Sequence, residues 1–371
     1  MAAEPRHQVG WIARLAIAAL LALGAIGVTA AGAQAVPKGF YGVVPQAPLG
    51  TADYARMGQG KVGTLRVQLN WAGSDPTATA GDYDFHVFDA VVAGAAANGV
   101  AVLPFVYGTP SWVATGIDGY GCGADCGTFA PKSPAALDAL SSFIGAAVAR
   151  YGDNGSFWAQ NPALPYKPIA AWQIWNEQNS KSFYAPKPKP KRYAKLLKAA
   201  DGAVRAEDRS ADVVLGGMAE LAGSRKAVKG SKYLKKLYRV KGAKKSFDGV
   251  APHPYGAKVS TVVDQIELFR AVMKKAKDKR TDLWITELGW GSAKGGNPLN
   301  RGTKGQAKRL KGAFKYFKKH RRKLRIENVD WFTWSDSENR ICAWCSTAGL
   351  FEAGLAPKPA WRAFTKFTHG S

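Results

Sequence analysis

Two stretches of the sequence lead from a hydrophobic run directly into a carboxylate. Residues 171–179 read AWQIWNEQN and residues 283–290 read LWITELGW, so Glu177 and Glu287 each end a segment rich in Trp and Ile. An apolar segment of this length favours a buried strand, which would hold the carboxyl group rigidly at its end. Two carboxyl groups that face each other can cleave a glycosidic bond, because one donates a proton to the leaving oxygen while the other attacks the anomeric carbon.

The segments around these two acids alternate between strand-like and helix-like patterns. Eight short apolar runs are typical of strands buried on both faces, at residues 40–44, 62–69, 101–106, 169–175, 213–217, 247–251, 283–286 and 329–334. Helical patterns lie between them, including residues 85–97, 134–151, 193–206, 261–276 and 305–320. This alternation predicts an α/β fold of the (β/α)8 TIM barrel type, in which catalytic groups follow the carboxyl ends of the strands. Two separate α/β domains are the alternative, but no linker-like segment divides the chain.

The length and the first residues indicate how the chain is organised. It has 371 residues, of which 46% are hydrophobic, enough for a large core. A basic start, a charge-free apolar run at residues 15–30 and the small residues Ala33-Gln34-Ala35 form the pattern of a secretory signal peptide. An uncleaved membrane anchor is the alternative, although the run is short for a span of about 20 residues. We therefore predict a signal peptide at residues 1–35, one barrel domain at residues 36–371 and a secreted protein.

The four cysteines form two closely spaced pairs, Cys122 with Cys126 and Cys342 with Cys345. Four cysteines allow three pairings, and the spacing cannot choose between them. In an oxidising compartment two local disulfides are the simplest expectation, and a zinc site with four thiolates is the alternative. The five histidines are scattered and form no ligand pattern, so we predict neither a metal site nor a cofactor.

The chain is strongly basic, with 52 Lys and Arg against 27 Asp and Glu and a net charge of +25. The basic residues concentrate at residues 187–198, 225–245, 274–280 and 304–325. The simpler interpretation is that they are the solvated faces of outer helices. The functional interpretation is attachment to an anionic cell-wall polymer or another acidic polysaccharide. Nucleic acid is the weaker alternative because no nucleic-acid-binding motif is present.

Further motifs follow the other strands, and together they resemble a known group of enzymes. Arg66 lies in TLRVQLNW on the second strand, Trp112 ends YGTPSW after the third, His253 and Tyr255 lie in HPY after the sixth, and Trp334 ends the eighth. With WNE after the fourth strand and ITELGW at the seventh, the pattern resembles the clan A glycoside hydrolases over nearly the whole chain beyond residue 35. The TPSW and HPY motifs are most similar to glycoside hydrolase family 39, and family 5 enzymes come next.

The resemblance implies roles for the residues that match. It implies that Glu177 is the general acid/base and Glu287 the nucleophile of a retaining glycosidase. Asn176 would bond the 2-hydroxyl group of the sugar, and Arg66 and Tyr255 would hold and orient Glu287. An arginine inside an apolar strand also needs a carboxylate nearby on physical grounds.

Other residues are expected to contact the sugar. The resemblance implies that His253 lies near the acid/base or the substrate and that Trp334 forms the floor of the sugar site. Aromatic rings suit the apolar C–H face of a sugar, so Trp112 and Trp290 are candidate platforms, with burial in the core as the alternative. Residues that follow the second and fifth strands are further candidate contacts, namely Asn70, Trp71 and Glu220.

The sequence therefore predicts a secreted retaining glycosidase that cleaves O-glycosidic bonds by double displacement. One alternative is a non-catalytic barrel that binds an acidic cell-surface polysaccharide, although this chain keeps both acids. Another is transglycosylation, in which the covalent intermediate is passed to a second sugar instead of to water. The expected partner is an oligo- or polysaccharide, the chain is expected to act as a monomer, and the identity of the sugar is left open.

Overall fold

Strands and helices alternate along the chain. The structure is a computed structural model that describes residues 36–79, 81–123, 125–220, 226–337 and 342–371, so the predicted leader at residues 1–35 lies outside the described residues. The barrel strands are β1 (Tyr41–Val44), β2 (Thr64–Asn70), β3 (Ala101–Tyr107), β4 (Ala171–Ile174), β5 (Asp212–Leu215), β6 (Gly249–Val250), β7 (Asp282–Leu288) and β8 (Ile326–Phe332). The α-helices of the described residues are α1 (Thr51–Gln59), α2 (Trp71–Ser74), α3 (His86–Ala97), α4 (Pro134–Tyr151), α5 (Ser156–Gln160), α6 (Pro190–Glu207), α7 (Gly230–Leu237), α8 (Val259–Lys275), α9 (Gly302–Leu324) and α10 (Pro359–Thr368).

The eight strands form a closed parallel barrel. Neighbours pair in the order β1-β8-β7-β6-β5-β4-β3-β2, and β1 closes the ring by pairing with both β8 and β2. Two short strands, Met218–Ala219 and Pro252–His253, pair with each other after β5 and β6. The predicted (β/α)8 barrel is confirmed, and all carboxyl ends of the strands open at one mouth.

The helices cover the barrel because each presents an apolar stripe to it. In α4 the buried residues Leu140, Phe143, Ile144 and Ala147 recur at helical spacing. The start of α4 is fixed by Ser133, whose hydroxyl accepts a hydrogen bond from the Ala136 N–H in the first turn. The five predicted helices are present as α3, α4, α6, α8 and α9, with ends that differ by a few residues. Among the described residues, no helix combines the length and the apolar character that crossing a membrane requires.

Both cysteine pairs form local disulfides on the mouth side of the barrel. Cys122–Cys126 lies in the loop after β3 and Cys342–Cys345 in the loop after β8, with Cα–Cα distances of 5.0 and 5.3 Å. All four thiols are used in these bonds, so the alternative of a four-thiolate zinc site is not the arrangement found. The two bridges stiffen loops at the rim that surrounds Glu177 and Glu287.

Candidate active site

Glu177 lies just beyond β4 on an unusual backbone turn. Trp175 and Glu177 both have positive φ angles, 74° and 41°, which residues other than glycine rarely adopt. The turn is held because the Trp175 N–H donates to the Val106 carbonyl at 2.9 Å, and the buried indole Nε1 donates to the Phe183 carbonyl at 2.7 Å. The apolar run therefore anchors the strand while the strained turn directs the carboxyl group into the mouth.

Glu287 lies near the carboxyl end of β7 and faces Glu177. A carboxylate oxygen of each glutamate lies within 4.8 Å of the other, and both residues are 9% exposed. Retaining glycosidases hold their two carboxyl groups about 5–5.5 Å apart, whereas inverting enzymes need about 6.5–9.5 Å to admit a water molecule. The separation fits the retaining arrangement.

Arg66 of β2 links three residues of the mouth. Its Nη1 donates to Glu287 Oε1 at 2.8 Å, its Nη2 to Asn176 Oδ1 at 2.9 Å and its Nε to Gln173 Oε1 at 2.6 Å. The guanidinium also lies 4.3 Å from the ring centre of Phe105. A cation that is 1% exposed needs this complete set of partners, and the set fixes Glu287 and Asn176 relative to each other.

Three groups surround the carboxylate of Glu287. Besides Arg66, the Tyr255 hydroxyl donates to Oε2 at 2.6 Å, and His253 Nδ1 lies 3.4 Å from the same oxygen. Burial alone would raise the pKa of Glu287, but the fields of His253 and Arg66 and the hydrogen bonds from Tyr255 and Arg66 outweigh it, and the pKa lies below its ordinary value. Burial and the charge of Glu287 raise the pKa of Tyr255 well above its usual range, so the phenol remains a donor.

His253 joins the two glutamates and is supported from the barrel interior. Its Nδ1 lies 3.0 Å from Glu177 Oε1, and its Nε2 lies 3.0 Å from Thr286 Oγ1. The Gln173 amide donates to the same hydroxyl at 3.2 Å, which leaves the hydroxyl proton to point at His253 Nε2. The ring proton then lies on Nδ1, toward both carboxylates. Gly217 makes room for the ring, since a Cβ there would lie 1.8 Å from the imidazole.

Gln173 and Thr286 were not recognised from the sequence. Both are fully buried within β4 and β7, between residues that pack in the core. The signal that would have found them is a polar side chain inside an apolar strand, because such a group needs a hydrogen-bonding partner there. That partner is the Arg66–His253 network.

The expectation that Trp334 forms the floor of the sugar site is wrong in this structure. The residue has no exposed surface, its Nε1 donates to Asp53 of α1 at 2.7 Å, and its ring meets Trp361 of α10 edge-on at 5.7 Å. The cause is the path of the chain beyond β8: Thr333 and Trp334 both donate to the Val44 carbonyl, which carries the indole outside the barrel.

Phe332 lies at the mouth instead. It is half-buried, and its ring centre lies 6.4 Å from Tyr255 and 5.8 Å from Trp344. Tyr255 and Trp344 meet at 5.1 Å, so three aromatic rings form a wall beside Glu287. Trp344 belongs to the loop closed by Cys342–Cys345, which gives that disulfide a place at the site.

The other predicted aromatic contacts divide between core and mouth. Trp290 has no exposed surface, and its Nε1 donates to the Gly256 carbonyl at 2.6 Å, so the core alternative holds. Trp71 is equally buried and donates to Asp75. Trp112 is half-buried at the mouth end of β3, where its Nε1 donates to the Asp75 carbonyl at 3.0 Å.

The polar candidates also divide. Asn70 is exposed at the end of β2, and a Cβ at Gly108 would lie 2.7 Å from its Oδ1, so the glycine leaves the amide its space. Glu220 instead accepts hydrogen bonds from the N–H and hydroxyl of Ser231, at 2.8 and 2.9 Å, and so belongs to the start of α7. Tyr107 was not among the candidates, yet its half-buried ring lies 4.9 Å from Trp175 at the mouth.

Among the described residues, the group that could hold a metal ion is Glu177, His253 and Glu287, whose ligand atoms lie within 4.8 Å of one another. Both oxygens of Glu287 already accept strong hydrogen bonds, and its charge is balanced by Arg66. A divalent cation would have to displace these donors and approach the guanidinium charge. The donor set therefore fits proton transfer better than metal binding.

Comparison with known proteins finds solved structures that share the fold. Neither a protein-family model nor a curated protein matches the sequence. Among solved structures, the chain is similar to a family 39 glycoside hydrolase from Bacteroides cellulosilyticus, with a TM-score of 0.63 and 17% identity over 90% of this chain and 64% of that one. It is similar to a glucosidase from Croceicoccus marinus, with a TM-score of 0.62 and 14% identity over 89% and 67%.

A third similar structure is xylanase 10B from Thermotoga maritima, with a TM-score of 0.58 and 15% identity over 89% of this chain and 94% of the xylanase. The chain thus spans a little under two thirds of the family 39 protein and nearly all of the xylanase. At these identities the similarity establishes a shared (β/α)8 barrel.

Proposed function

We propose that the chain is a glycoside hydrolase that cleaves O-glycosidic bonds with retention, with Glu287 as nucleophile and Glu177 as general acid/base. The observation that carries the proposal is the unequal environment of two facing carboxyl groups. Glu287 is contacted by Arg66, Tyr255 and His253, whereas the side chain of Glu177 has His253 as its partner among the described residues. The donors around Glu287 thereby hold it ionised for attack, and the less constrained Glu177 is assigned the role of acid and base.

In the first step the leaving-group bond breaks. A Glu287 oxygen bonds to the anomeric carbon as the bond to the leaving oxygen opens, and Glu177 transfers its proton to that oxygen. The products are a glycosyl ester on Glu287, a free alcohol and an ionised Glu177. His253 suits this change, because its Nδ1 lies 3.0 Å from Glu177 and 3.4 Å from Glu287. Its N–H can therefore donate to Glu287 before the step and to the ionised Glu177 after it.

In the second step water replaces the alcohol. Glu177, now a base, removes a proton from water, whose oxygen attacks the anomeric carbon and releases Glu287 as a carboxylate. Glu177 ends the cycle protonated, as it began. If a sugar hydroxyl enters in place of water, the same step gives transglycosylation.

The sugar would be held by Asn176 and by the aromatic wall. Asn176 uses its Oδ1 to accept from Arg66, so its amide nitrogen is directed away from the arginine and can donate to the 2-hydroxyl group. Phe332, in place of Trp334, offers a ring beside Glu287 for the C–H face of the sugar, with Trp112 and Tyr107 across the mouth. Asn70 supplies a further polar contact.

We also propose that the protein acts outside the cell after cleavage near residue 35. Two disulfides among four cysteines support an oxidising compartment. Expression with the leader and N-terminal sequencing of the exported protein tests this, and an N terminus at Met1 in the membrane fraction would contradict it.

The catalytic assignment is tested by substituting each acid separately. Purified wild type, Glu287→Gln and Glu177→Gln would be assayed on aryl glycosides and on a panel of polysaccharides, with exposed Glu207→Gln as a matched control. Loss of the nucleophile should abolish turnover of every substrate. Loss of the acid should cost about 10²–10⁴-fold on poor leaving groups and less on activated aryl ones.

Two further readouts make the roles distinct. Glu177→Ala should recover activity with azide and give a glycosyl azide, since the small anion needs no base. NMR of the first product should show the anomer of the substrate. Full activity in Glu287→Gln, or an inverted first product, would overturn the assignment.

A further inference from the structure

Most of the net charge of the chain lies in one stretch of the sequence that includes neighbouring helices of the outer wall. Residues 226–325 contain 29 Lys and Arg against 6 Asp and Glu, a difference of +23 in a chain of net charge +25. This stretch includes α7, α8 and α9, which pack side by side around the barrel. The basic segments at residues 226–245, 274–280 and 304–325 are therefore parts of one surface, which we call the basic wall.

The basic wall contains a cleft between the last turns of α7 and α8. The cleft has a volume of about 270 Å³ and is lined by Lys235, Tyr238, Arg239, Val272, Lys275 and Ala276. Three cations thus surround a floor made of one tyrosine ring and two small aliphatic side chains. A volume just below the range of small-molecule sites suits one sugar-sized unit of a longer ligand.

The cations of the cleft lack protein partners. Within the described part of the chain, Lys235, Arg239 and Lys275 form neither an ion pair nor a hydrogen bond through their side chains, and both lysines and the arginine are exposed. The acid bonded to the cleft's tyrosine is already engaged, because Asp278 accepts from the Tyr238 hydroxyl and from Thr281, each at 2.8 Å. The cleft therefore presents uncompensated positive charge.

The cleft lies at the opposite end of the barrel from the two glutamates. Its floor is tied through Asp278 to Thr281, the residue that directly precedes β7, whereas Glu287 lies near the other end of that strand. Five residues of strand separate the two ends, or roughly 17 Å at the usual rise per residue. A ligand in the cleft is thus remote from the catalytic acids.

We propose that this cleft binds a polysaccharide whose sugars carry carboxylates, and that the basic wall attaches the protein to such a polymer. The carboxylates would pair with Lys235, Arg239 and Lys275, and the apolar C–H face of the sugar would cover Tyr238 and Val272. The inference concerns binding and does not depend on the catalytic assignment.

The composition of the surface favours an acidic polysaccharide over other polyanions. A polyphosphate would use the cations and leave the apolar floor without a partner. Single-stranded nucleic acid needs a row of exposed aromatic rings on which successive bases stack. The half-buried ring of Tyr238 offers one such surface, and the exposed large hydrophobic residues of the described chain include no aromatic residue on α7, α8 or α9. Lysines outnumber arginines in residues 226–325 by 21 to 8, which suits single charges spaced along a chain more than bidentate phosphate recognition.

The test measures binding of the Glu287→Gln protein to immobilised alginate, a polymer with one carboxylate on each sugar. Dextran, inorganic polyphosphate and a single-stranded oligodeoxynucleotide serve as competitors. The dissociation constant for alginate is measured at about 50, 150 and 300 mM NaCl, which covers ionic strengths below and above the physiological value of about 0.15 M. We expect the protein to bind alginate at about 150 mM NaCl and dextran not to compete. At equal concentrations of negative charge, polyphosphate and the oligonucleotide should compete at least about tenfold less well than free alginate.

A matched pair of variants separates the cleft from general charge. Lys235→Gln/Arg239→Gln/Lys275→Gln removes three charges in the cleft, and Lys304→Gln/Lys308→Gln/Lys311→Gln removes three exposed charges from the first half of α9. The cleft variant should weaken alginate binding about tenfold or more and the α9 variant less than about threefold. If both variants weakened alginate binding equally, binding would come from the general positive charge of the surface and the cleft would not be a site. Absence of alginate binding, or polyphosphate binding as strong as that of alginate, would also overturn the proposal. Alginate binding together with no turnover of any substrate by the wild-type protein would instead count against the catalytic proposal alone.

Discussion

The mouth of the barrel and the basic wall use positive charge in opposite ways. At the mouth a single arginine, Arg66, is buried and donates to three different side chains. On the wall, the cations of the α7–α8 cleft are exposed and have no protein partners among the described residues. Buried paired charge fixes geometry, because each partner is lost at a large cost, whereas exposed unpaired charge acts over distance and yields to salt.

The difference indicates separate tasks for the two regions. The mouth needs one carboxylate held ionised within 4.8 Å of another, which only fixed donors can achieve. The wall needs no such accuracy to attract a polymer. Changes at the mouth should therefore alter rate and stability, and changes on the wall should alter binding to polyanions and its salt dependence.

The largest effect is expected from Arg66→Met. Removing the guanidinium takes the counter-charge and one donor from Glu287, and it also takes the Arg66 donors from the side-chain oxygens of Gln173 and Asn176. Breaking a buried pair costs about 3–5 kcal/mol of unfolding free energy. Arg150→Met, which breaks a half-exposed pair with Asp89, is the matched control and should cost about 1 kcal/mol. Urea unfolding at pH 7 measures both, and equal losses would mean that the mouth is no more dependent on its arginine than the surface.

The pH dependence of the same experiment sharpens the comparison. The pKa of Glu287 is lower in the folded protein than its ordinary value, so its contribution to stability is fully present above the unfolded pKa of about 4.3 and is lost as the pH falls through the folded pKa. The difference in unfolding free energy between wild type and Arg66→Met should therefore become smaller below about pH 4. A gap that stays constant with pH would mean that Arg66 stabilises the fold without acting through Glu287.

Tyr255→Phe should have the next largest effect on activity. The phenol donates to Glu287 Oε2 at 2.6 Å, and this donation lowers the pKa of that carboxyl. Its loss should move the acidic limb of the kcat/KM profile to higher pH and lower kcat about tenfold or more, because a charge-assisted hydrogen bond is removed. Tyr238→Phe, which loses a hydroxyl bonded to Asp278 at the far end of the barrel, should leave the profile unchanged.

The sequence predicted the barrel strands and the residues that contact Glu287 better than it predicted the aromatic residues at the mouth. The eight strands, Arg66, His253 and Tyr255 could be found because an apolar run or a short motif identifies each of them. Trp334 could not be placed correctly, because its direction depends on the Thr333 and Trp334 hydrogen bonds to Val44, nearly 300 residues away in sequence. Long-range contacts of this kind leave no local pattern.

Thr286→Val is expected to have a moderate effect. The hydroxyl directs the tautomer of His253 and accepts from Gln173, and the substitution keeps nearly the same volume. We expect kcat to fall about tenfold, with a changed pH profile, as for other residues that orient a catalytic group. Thr109→Val is the matched control, because its buried hydroxyl has no hydrogen-bonding partner among the described residues, and it should change neither kcat nor the profile. Unchanged kinetics in Thr286→Val would exclude a role for this chain of hydrogen bonds.

The smallest effect should come from the cleft variant Lys235→Gln/Arg239→Gln/Lys275→Gln acting on a small neutral glycoside. The end of β7 next to the cleft lies roughly 17 Å along the strand from Glu287, about two Debye lengths at physiological salt. Removing the charges of the cleft should not change the field at Glu287, which already has a fixed counter-charge in Arg66. We expect kcat/KM to stay within about twofold of wild type at 150 mM NaCl, while retention on alginate falls. A tenfold loss on the neutral substrate would show that wall and mouth are coupled through the fold, and the separation of tasks would then have to be abandoned.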